Sequence, residues 1–357
     1  MKIESVEIKT YSSKELLRWL NTGHSTPFGP KGVISPSRAL AFANNPYVDP
    51  DDPIACALFV ATPSGQPALV AYTAAFPDMV GNQRMWWFST LWCHPEHRGK
   101  GYPLALVGTL AEHYGPENCL DTMGAAETVE IFRFLGHQVS YLHEHRFGSK
   151  IQRGGLRGDL LCQREQLRTF LRRHNARALR AINHSTYTLQ YIDLIDDDTY
   201  SLIQRQSAND LFPRTRETLN WILQYPLKHC TPLPHRTSSR GLFGDSDPLY
   251  WLRGVKVMHG DETIGFYIIR NAESDLSVKY LYYAEPYRDQ VFTSIVEHIL
   301  HLGNSCFATR HTELANYIAA TKLFKSHKIA DISLSCPDSF SLNPSGSTQG
   351  GDGDCFA

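Results

Sequence analysis

Gly99 and Gly101 stand one residue apart between Arg98 and Lys100, inside the stretch LWCHPEHRGKGYPLAL at residues 91–106. Leu91, Trp92 and Cys93 close an apolar, aromatic run that begins at Met85. His94 to Arg98 is polar and holds a proline, and Leu104 to Val107 opens a helix-like run. Strand, turn and helix therefore follow in that order. A helix start exposes unpaired N–H groups and the positive end of the helix dipole, which suits an anion. Glycines there remove the Cβ atoms that would keep a phosphate off the backbone, and the flanking cations add charge. The spacing is that of a phosphate cradle; a plain tight turn is the other reading of the same residues.

Metal chemistry finds less support. Sixteen histidines are present, but H-E-x-x-H and comparable ligand spacings are absent. His143 and His145 lie two apart in an apparent strand, VSYLHEHRFG, where an exposed strand edge is the expectation and no metal is expected.

The elements that must position the cradle read as a mixed α/β unit over residues 1–149. IESVEIKTY alternates like a strand, SSKELLRWLNTG is a serine-capped helix, and SPSRALAFANNP is a second short helix. ACALFVATPSGQPALVAYTAAF is a hairpin, followed by a strand at 85–93 and the helix after Gly101. A short strand at 119–121, a helix at 127–135 and a strand at 139–147 complete the unit. From residue 186 the same order starts again, an internal repeat of elements rather than of residues, and it runs to 340. Between them, 150–185 is a basic helical linker carrying Arg164, Arg168, Arg172, Arg173, Arg177 and Arg180, read as a wet helix face. Residues 341–357, NPSGSTQGGDGDCFA with two flanking residues, read as a flexible tail.

Composition bounds the function. A formal charge of -1 and a pI near 7 argue against a general nucleic-acid or acidic-membrane surface. Runs of 18 apolar residues are absent, so no membrane span is expected. The eight cysteines are scattered without C-x-x-C spacing, and MKIESVEIKT is too charged for a secretory signal. Both fit a cytoplasmic protein with reduced thiols.

With strand, turn and helix in place, CHPEHRGKG resembles the central coenzyme A motif of the GCN5-related N-acetyltransferases. IFRFLGH, at 131–137, is similar to the aromatic and Gly-Phe signature that the family carries about thirty residues later. The resemblance covers residues 1–149; EPYRDQVF in the second half keeps Arg288 but neither glycine. It implies an α/β fold, a mixed α+β sheet, with two acyl-CoA N-acyltransferase domains in tandem, the second degenerate. It further implies a transferase that moves the acyl group of acetyl-CoA or another acyl-CoA to a small-molecule amine by direct attack on the thioester. The partners expected are that amine, no nucleic acid and no membrane, in a monomer or homodimer. A non-catalytic acyl-CoA-binding or regulatory module is the alternative.

On the same resemblance, Arg98, Gly99, Lys100, Gly101, Tyr102, Pro103 and Leu104 hold the pyrophosphate, although Pro103 has no N–H to give. Leu91, Trp92 and Cys93 hold the pantetheine arm. Phe132 stands where many members carry a tyrosine that protonates the leaving thiolate, and Ala125 where an asparagine often contacts pantetheine. Strand 85–93 carries no glutamate to serve as base. Asp121, ending the neighbouring strand, is the candidate to take the amine proton, or else caps the following turn. Ser89 is the candidate relay, or else bonds nearby backbone. Cys93 reads as a small core residue rather than a nucleophile, and one face of Trp86, Trp87, Phe88 and Trp92 is available to an acceptor. The aromatic stretch Tyr280 to Tyr283 reads as a buried strand or as one wall of the acceptor pocket.

Overall fold

The computed structural model describes residues 6–22, 35–122, 124–148, 186–228, 249–272, 275–302, 306–324, 326–338, 340 and 348–353. The arginine-rich linker expected at 150–185 lies outside the described residues. The first half runs β1 (Val6–Ser12), α1 (Ser13–Thr22), α2 (Pro36–Ala43), β2 (Pro53–Ala61), β3 (Pro67–Val80), β4 (Gln83–Cys93), α3 (Tyr102–Tyr114), β5 (Cys119–Thr122), α4 (Ala126–Phe134) and β6 (His137–Gly148). The second runs β7 (Thr188–Ile192), α5 (Asp197–Gln206), α6 (Arg216–Gln224), β8 (Trp251–His259), β9 (Glu262–Ala272), β10 (Asp275–Tyr283), α7 (Arg288–Leu302), β11 (Cys306–Thr309), α8 (Thr312–Thr321) and β12 (His327–Pro337). The element order is the repeat read from the sequence.

Side-chain chemistry sets the helix starts. Ser35, Asp196 and Thr215 each stand one residue before α2, α5 and α6 and accept the N–H of Arg38, Thr199 and Thr218. Pro36 opens α2, where its missing N–H costs nothing. β2, β3 and β4 are nearly continuous apolar or small-residue runs because both faces of their sheet are covered. Trp86 stacks on Tyr114 of α3 at 3.7 Å on one side, and Phe76 meets Phe42 of α2 and Trp221 of α6 on the other.

The twelve strands of the described residues form one sheet in the order β1-β2-β3-β4-β5-β12-β6-β11-β10-β9-β8-β7. The last strand of each half is therefore exchanged. β12 lies between β5 and β6, with Leu334 opposite Thr122 and Ser335 opposite Asp121. β6 runs antiparallel to the whole of β12 and passes on to β11, with Phe147 opposite Phe307. Packing follows the exchange: Leu334 and Cys336 of β12 belong to the core that holds Trp87 and Phe88, whereas Phe147 of β6 belongs to the core of β9, β10 and α7. The division at 149 and 186 thus separates two repeats in sequence but not two independent sheets in space.

Residues 348–353, within the stretch expected to be a flexible tail, are a correction: Gln349 and Asp352 are buried, at 5% and 1% exposure, and bonded to the core. Glycine is abundant there because the chain runs through a narrow slot. A Cβ on Gly350 would lie 2.8 Å from the Val278 carbonyl oxygen, and one on Gly351 2.3 Å from the Tyr280 ring. Close approach, rather than freedom, is what these glycines provide.

Candidate active site at the split between β4 and β5

β3 and β4 pair with Tyr72 opposite Trp92 and Ala74 opposite Ser89. Thr90 and Leu91 therefore face the single residue Thr73, a two-against-one bulge. Thr90 takes φ 58°, and it and Lys322 are the non-glycine residues with positive φ among the described residues. A β-branched residue there is strained by about 1–3 kcal/mol. β5 pairs with β4 only at Trp86–Cys119 and Trp87–Leu120. Beyond those pairs the two parallel strands part, so residues 88–93 present an edge that β5 does not cover.

At the end of that edge the chain makes one 3-10 turn, Pro95–His97, with His94 Nδ1 accepting the Glu96 N–H at 3.3 Å. Gly99 and Gly101 then adopt φ 78° and 77°, and Gly101 is the N-cap of α3. The first bond of the helix runs from Ala105 N–H to the Gly101 carbonyl at 3.1 Å, so the amides of Tyr102 and Leu104 precede the helical ladder. Residues 98–101 are exposed, and a Cβ on either glycine meets nothing within 4 Å. Space for an anion is open directly over the helix start, as the cradle reading requires. Lys100 sits with its ammonium 5.9 Å from the Tyr102 ring.

The remaining sequence candidates separate. Leu91 and Trp92 are half-buried on the open edge. Cys93 donates its thiol to the His94 carbonyl at 3.7 Å, and burial pushes its pKa up against the opposing pull of Arg98, so it is a neutral packing residue. Phe132 is fully buried, edge-on to Phe88 at 5.3 Å and beside the His137 ring at 5.2 Å. The structure places its ring in the core. Ser89 is buried and accepts from the Arg38 guanidinium at 3.2 Å. Asp121 is buried at the end of β5, and its Oδ2 lies 2.7 Å from where a Cβ on Gly124 would stand. Its carboxylate lies against Gly124. Tyr280, Tyr282 and Tyr283 are all buried, as an interior strand requires. His143 meets Asp331 at 3.0 Å and His145 meets His327 at 2.9 Å, each across to β12. Among the described residues no three potential metal ligands cluster.

Four residues escaped the sequence reading. Thr90 carries no signal of its conformation. Arg38 interrupts an otherwise apolar helix, which is a signal, and its guanidinium reaches the bulge at Ser89. Asp78 and Arg214 form a buried ion pair that joins the two halves beneath β4. Arg214 also meets Asp352 at 2.8 Å, while Asp78 accepts from Trp87 Nε1 at 3.3 Å and from Thr218 at 2.9 Å. Trp86 to Phe88 were expected to leave one face for an acceptor. Both faces are covered, since Trp87 packs on Phe212 of the second half at 4.9 Å.

β10 repeats the geometry of β4. Its register against β9 shifts between Val278 and Tyr280, and it pairs with β11 only from Asp275 to Val278. Its loop differs: the 3-10 turn Glu285–Tyr287 runs straight into α7 at Arg288, with φ -46° and ψ -54°. Val291, in the first turn of α7, is buried against Gly265.

No family model matches the chain, and no curated protein is similar to it by sequence. Solved structures are similar in fold. The N-myristoyltransferase of Saccharomyces cerevisiae with bound myristoyl-CoA matches with a TM-score of 0.51 at 12% identity, over 97% of this chain and 87% of that one. A putative acetyltransferase from Pyrococcus horikoshii matches at 0.50 and 9%, over 97% and 94%. A GCN5-related glucosamine N-acetyltransferase region of a fungal multi-domain β-N-acetylglucosaminidase matches at 0.50 and 12%, over 94% of this chain and 38% of that one. The chain has the GCN5-related N-acetyltransferase fold, built twice in tandem. Among its described helices none is long and apolar enough to cross a membrane.

Proposed function

We propose that the protein is an acyl-CoA-dependent N-acyltransferase that acts on a small-molecule amine through its first half, with acetyl-CoA or another acyl-CoA as co-substrate. The observation that carries this is the conjunction of the bulged, uncovered edge of β4 with two left-handed glycines over an open helix start. The amides of Gly99 to Leu104, Pro103 excepted, suit a pyrophosphate. The backbone of Leu91 and Cys93 suits the amides of a pantetheine arm. In the reaction the amine nitrogen bonds to the thioester carbonyl carbon and the C–S bond breaks. The sulfur leaves as thiolate and the amine proton passes to a base. Positioning and backbone donors supply most of the acceleration in such a scheme. Phe132 has no proton to give, and Ser89 is held by Arg38, so Asp121 is the side chain near the split that can take the proton.

Calorimetry with acetyl-CoA and a thiol-release assay over a panel of amines test this together. Turnover of any amine class supports the enzyme, and the absence of coenzyme A binding overturns it. Saturable binding without turnover favours the binding-module reading, which the apolar burial of Phe132 supports. If Asp121 takes the proton, Asp121→Asn lowers the rate more than it lowers acetyl-CoA affinity; equal rates from pH 6 to 9 remove it from the mechanism.

A further inference from the structure

The open edge of β10 is occupied. Gln349 presents its side-chain amide to the backbone of Leu281, accepting that residue's N–H at 3.1 Å and donating to its carbonyl at 3.5 Å. Gly351 N–H donates to the Lys279 carbonyl at 2.8 Å. These are the main-chain groups released where β10 parts from β11, the counterparts of Leu91 and its neighbours in the first half. Gln349 Nε2 also reaches Asp210 at 3.2 Å, and Asp352 accepts from both the Gln349 N–H and Arg214, each at 2.8 Å. Gly353, with φ 74°, then passes so close to the first half that a Cβ would stand 2.3 Å from Thr122 Oγ1 and 3.3 Å from Trp87. In six residues the segment crosses from the split of the second half to that of the first.

We propose that the second half is a strand-binding groove whose resident ligand is residues 348–353 of this same chain, and that this occupancy closes the groove to any cofactor. The groove selects its occupant by three features. A glutamine side chain completes the ladder at Leu281, glycines at 350 and 351 clear the Val278 carbonyl and the Tyr280 ring, and an aspartate meets Arg214. A backbone entering such a slot can carry a Cβ at those two positions only if the main chain of Val278 or the buried ring of Tyr280 shifts. The inference rests on these contacts alone and holds whether or not the first half transfers acyl groups.

Hydrogen exchange on the full chain is the first test. In the wild-type protein the amides of Gly351 and Leu281 should exchange as slowly as those of the β9–β10 ladder. Free exchange at Gly351 in a folded protein would overturn the proposal. Full-length Gly351→Val should release the segment, so that both amides exchange at least tenfold faster and a synthetic peptide of residues 346–357 binds it saturably. Fluorescence anisotropy should then show at least tenfold weaker binding for the same peptide with Gln349→Ala, and none to wild type, whose groove is filled. Retained protection in Gly351→Val, or equal affinity for the two peptides, would refute the assignment. If Gly351→Val fails to fold, Gln349→Ala and Asp352→Asn in the full chain replace it, with faster exchange at Gly351 expected and unchanged exchange in both contradicting the proposal.

Discussion

Gly65 and Gly101 form a matched pair for separating backbone strain from ligand contact. Both are left-handed, at φ 79° and 77°, and a Cβ on either meets no atom within 4 Å. Gly65 turns the exposed hairpin between β2 and β3, whereas Gly101 caps α3 beneath the proposed phosphate site. Alanine in the left-handed region costs about 1–2 kcal/mol, so the two substitutions should lower stability equally, by a few degrees in Tm. Their effects on coenzyme A should differ. A methyl on Gly101 points into the open space where the phosphate would approach the amides. Losing one charge-assisted hydrogen bond of about 1.5–3 kcal/mol raises Kd roughly 10- to 150-fold. Gly101→Val should exceed Gly101→Ala, and Gly65→Ala should leave Kd unchanged. Titration calorimetry with coenzyme A and urea unfolding on the same preparations measure both quantities. Wild-type Kd in both Gly101 variants would refute the cradle, and an equal loss in Gly65→Ala would show that strain alone accounts for the effect.

Replacing Arg214 by Met strands two buried carboxylates, Asp78 and Asp352, and should cost about 3–5 kcal/mol in urea unfolding; adding Asp78→Asn and Asp352→Asn should recover part of that, and a neutral Arg214→Met would contradict the ion triad. Burial pushes His298 and His311 down to about 4, so both stay neutral in the folded protein while the unfolded chain takes up protons near pH 6.5. Stability is therefore full above pH 6.5 and falls toward pH 4, by roughly 3 kcal/mol for His298. His311 accepts the Leu314 N–H at the start of α8, so His311→Asn should keep the cap and flatten the fall in urea midpoint between pH 7 and 4.5. Residues 1–185 and 186–357 expressed together should co-purify as one particle, and each alone should aggregate; a monomeric, folded 1–149 with unchanged coenzyme A affinity would show that the strand exchange is dispensable.

How far the sequence could be read follows from the range of the interactions involved. Periodicity and caps are local, so the hairpin around Gly65, the helix after Gly101 and the repeat of elements were all legible in order. The loop glycines were legible too, because a turn between strand and helix constrains few alternatives. The bulge at Thr90 was not: nothing in Ser89-Thr90-Leu91 distinguishes it from an unbroken strand, and it exists because Thr73 faces two residues. Phe132 owes its place among the expected site residues to the resemblance of IFRFLGH to the family's second signature, and its packing against Phe88 and His137 follows from the fold rather than from that signature. Composition misled outright at the tail. Glycines at 350, 351 and 353 resemble a mobile segment, but a slot that admits no Cβ selects the same residues, and only the surroundings tell the two apart.

The exchange of β6 and β12 ties these points together. β5 is only four residues long and pairs with β12 at two positions, so β5 alone can hold little of that strand. β12 is secured along its whole length by β6, and β6 in turn by β11 of the second half. The position of Asp121 and Thr122 at the proposed site thus depends on a strand that only the second repeat can supply. The tail adds a second tie at the same place, since Gly353 abuts Thr122 and Asp352 holds Arg214 against Asp78 beneath Trp87. A repeat without the loop glycines therefore still serves the first: it supplies the strand beside β5, Phe212 against Trp87 of β4, Trp221 against Phe76 of β3 and the groove that anchors the tail.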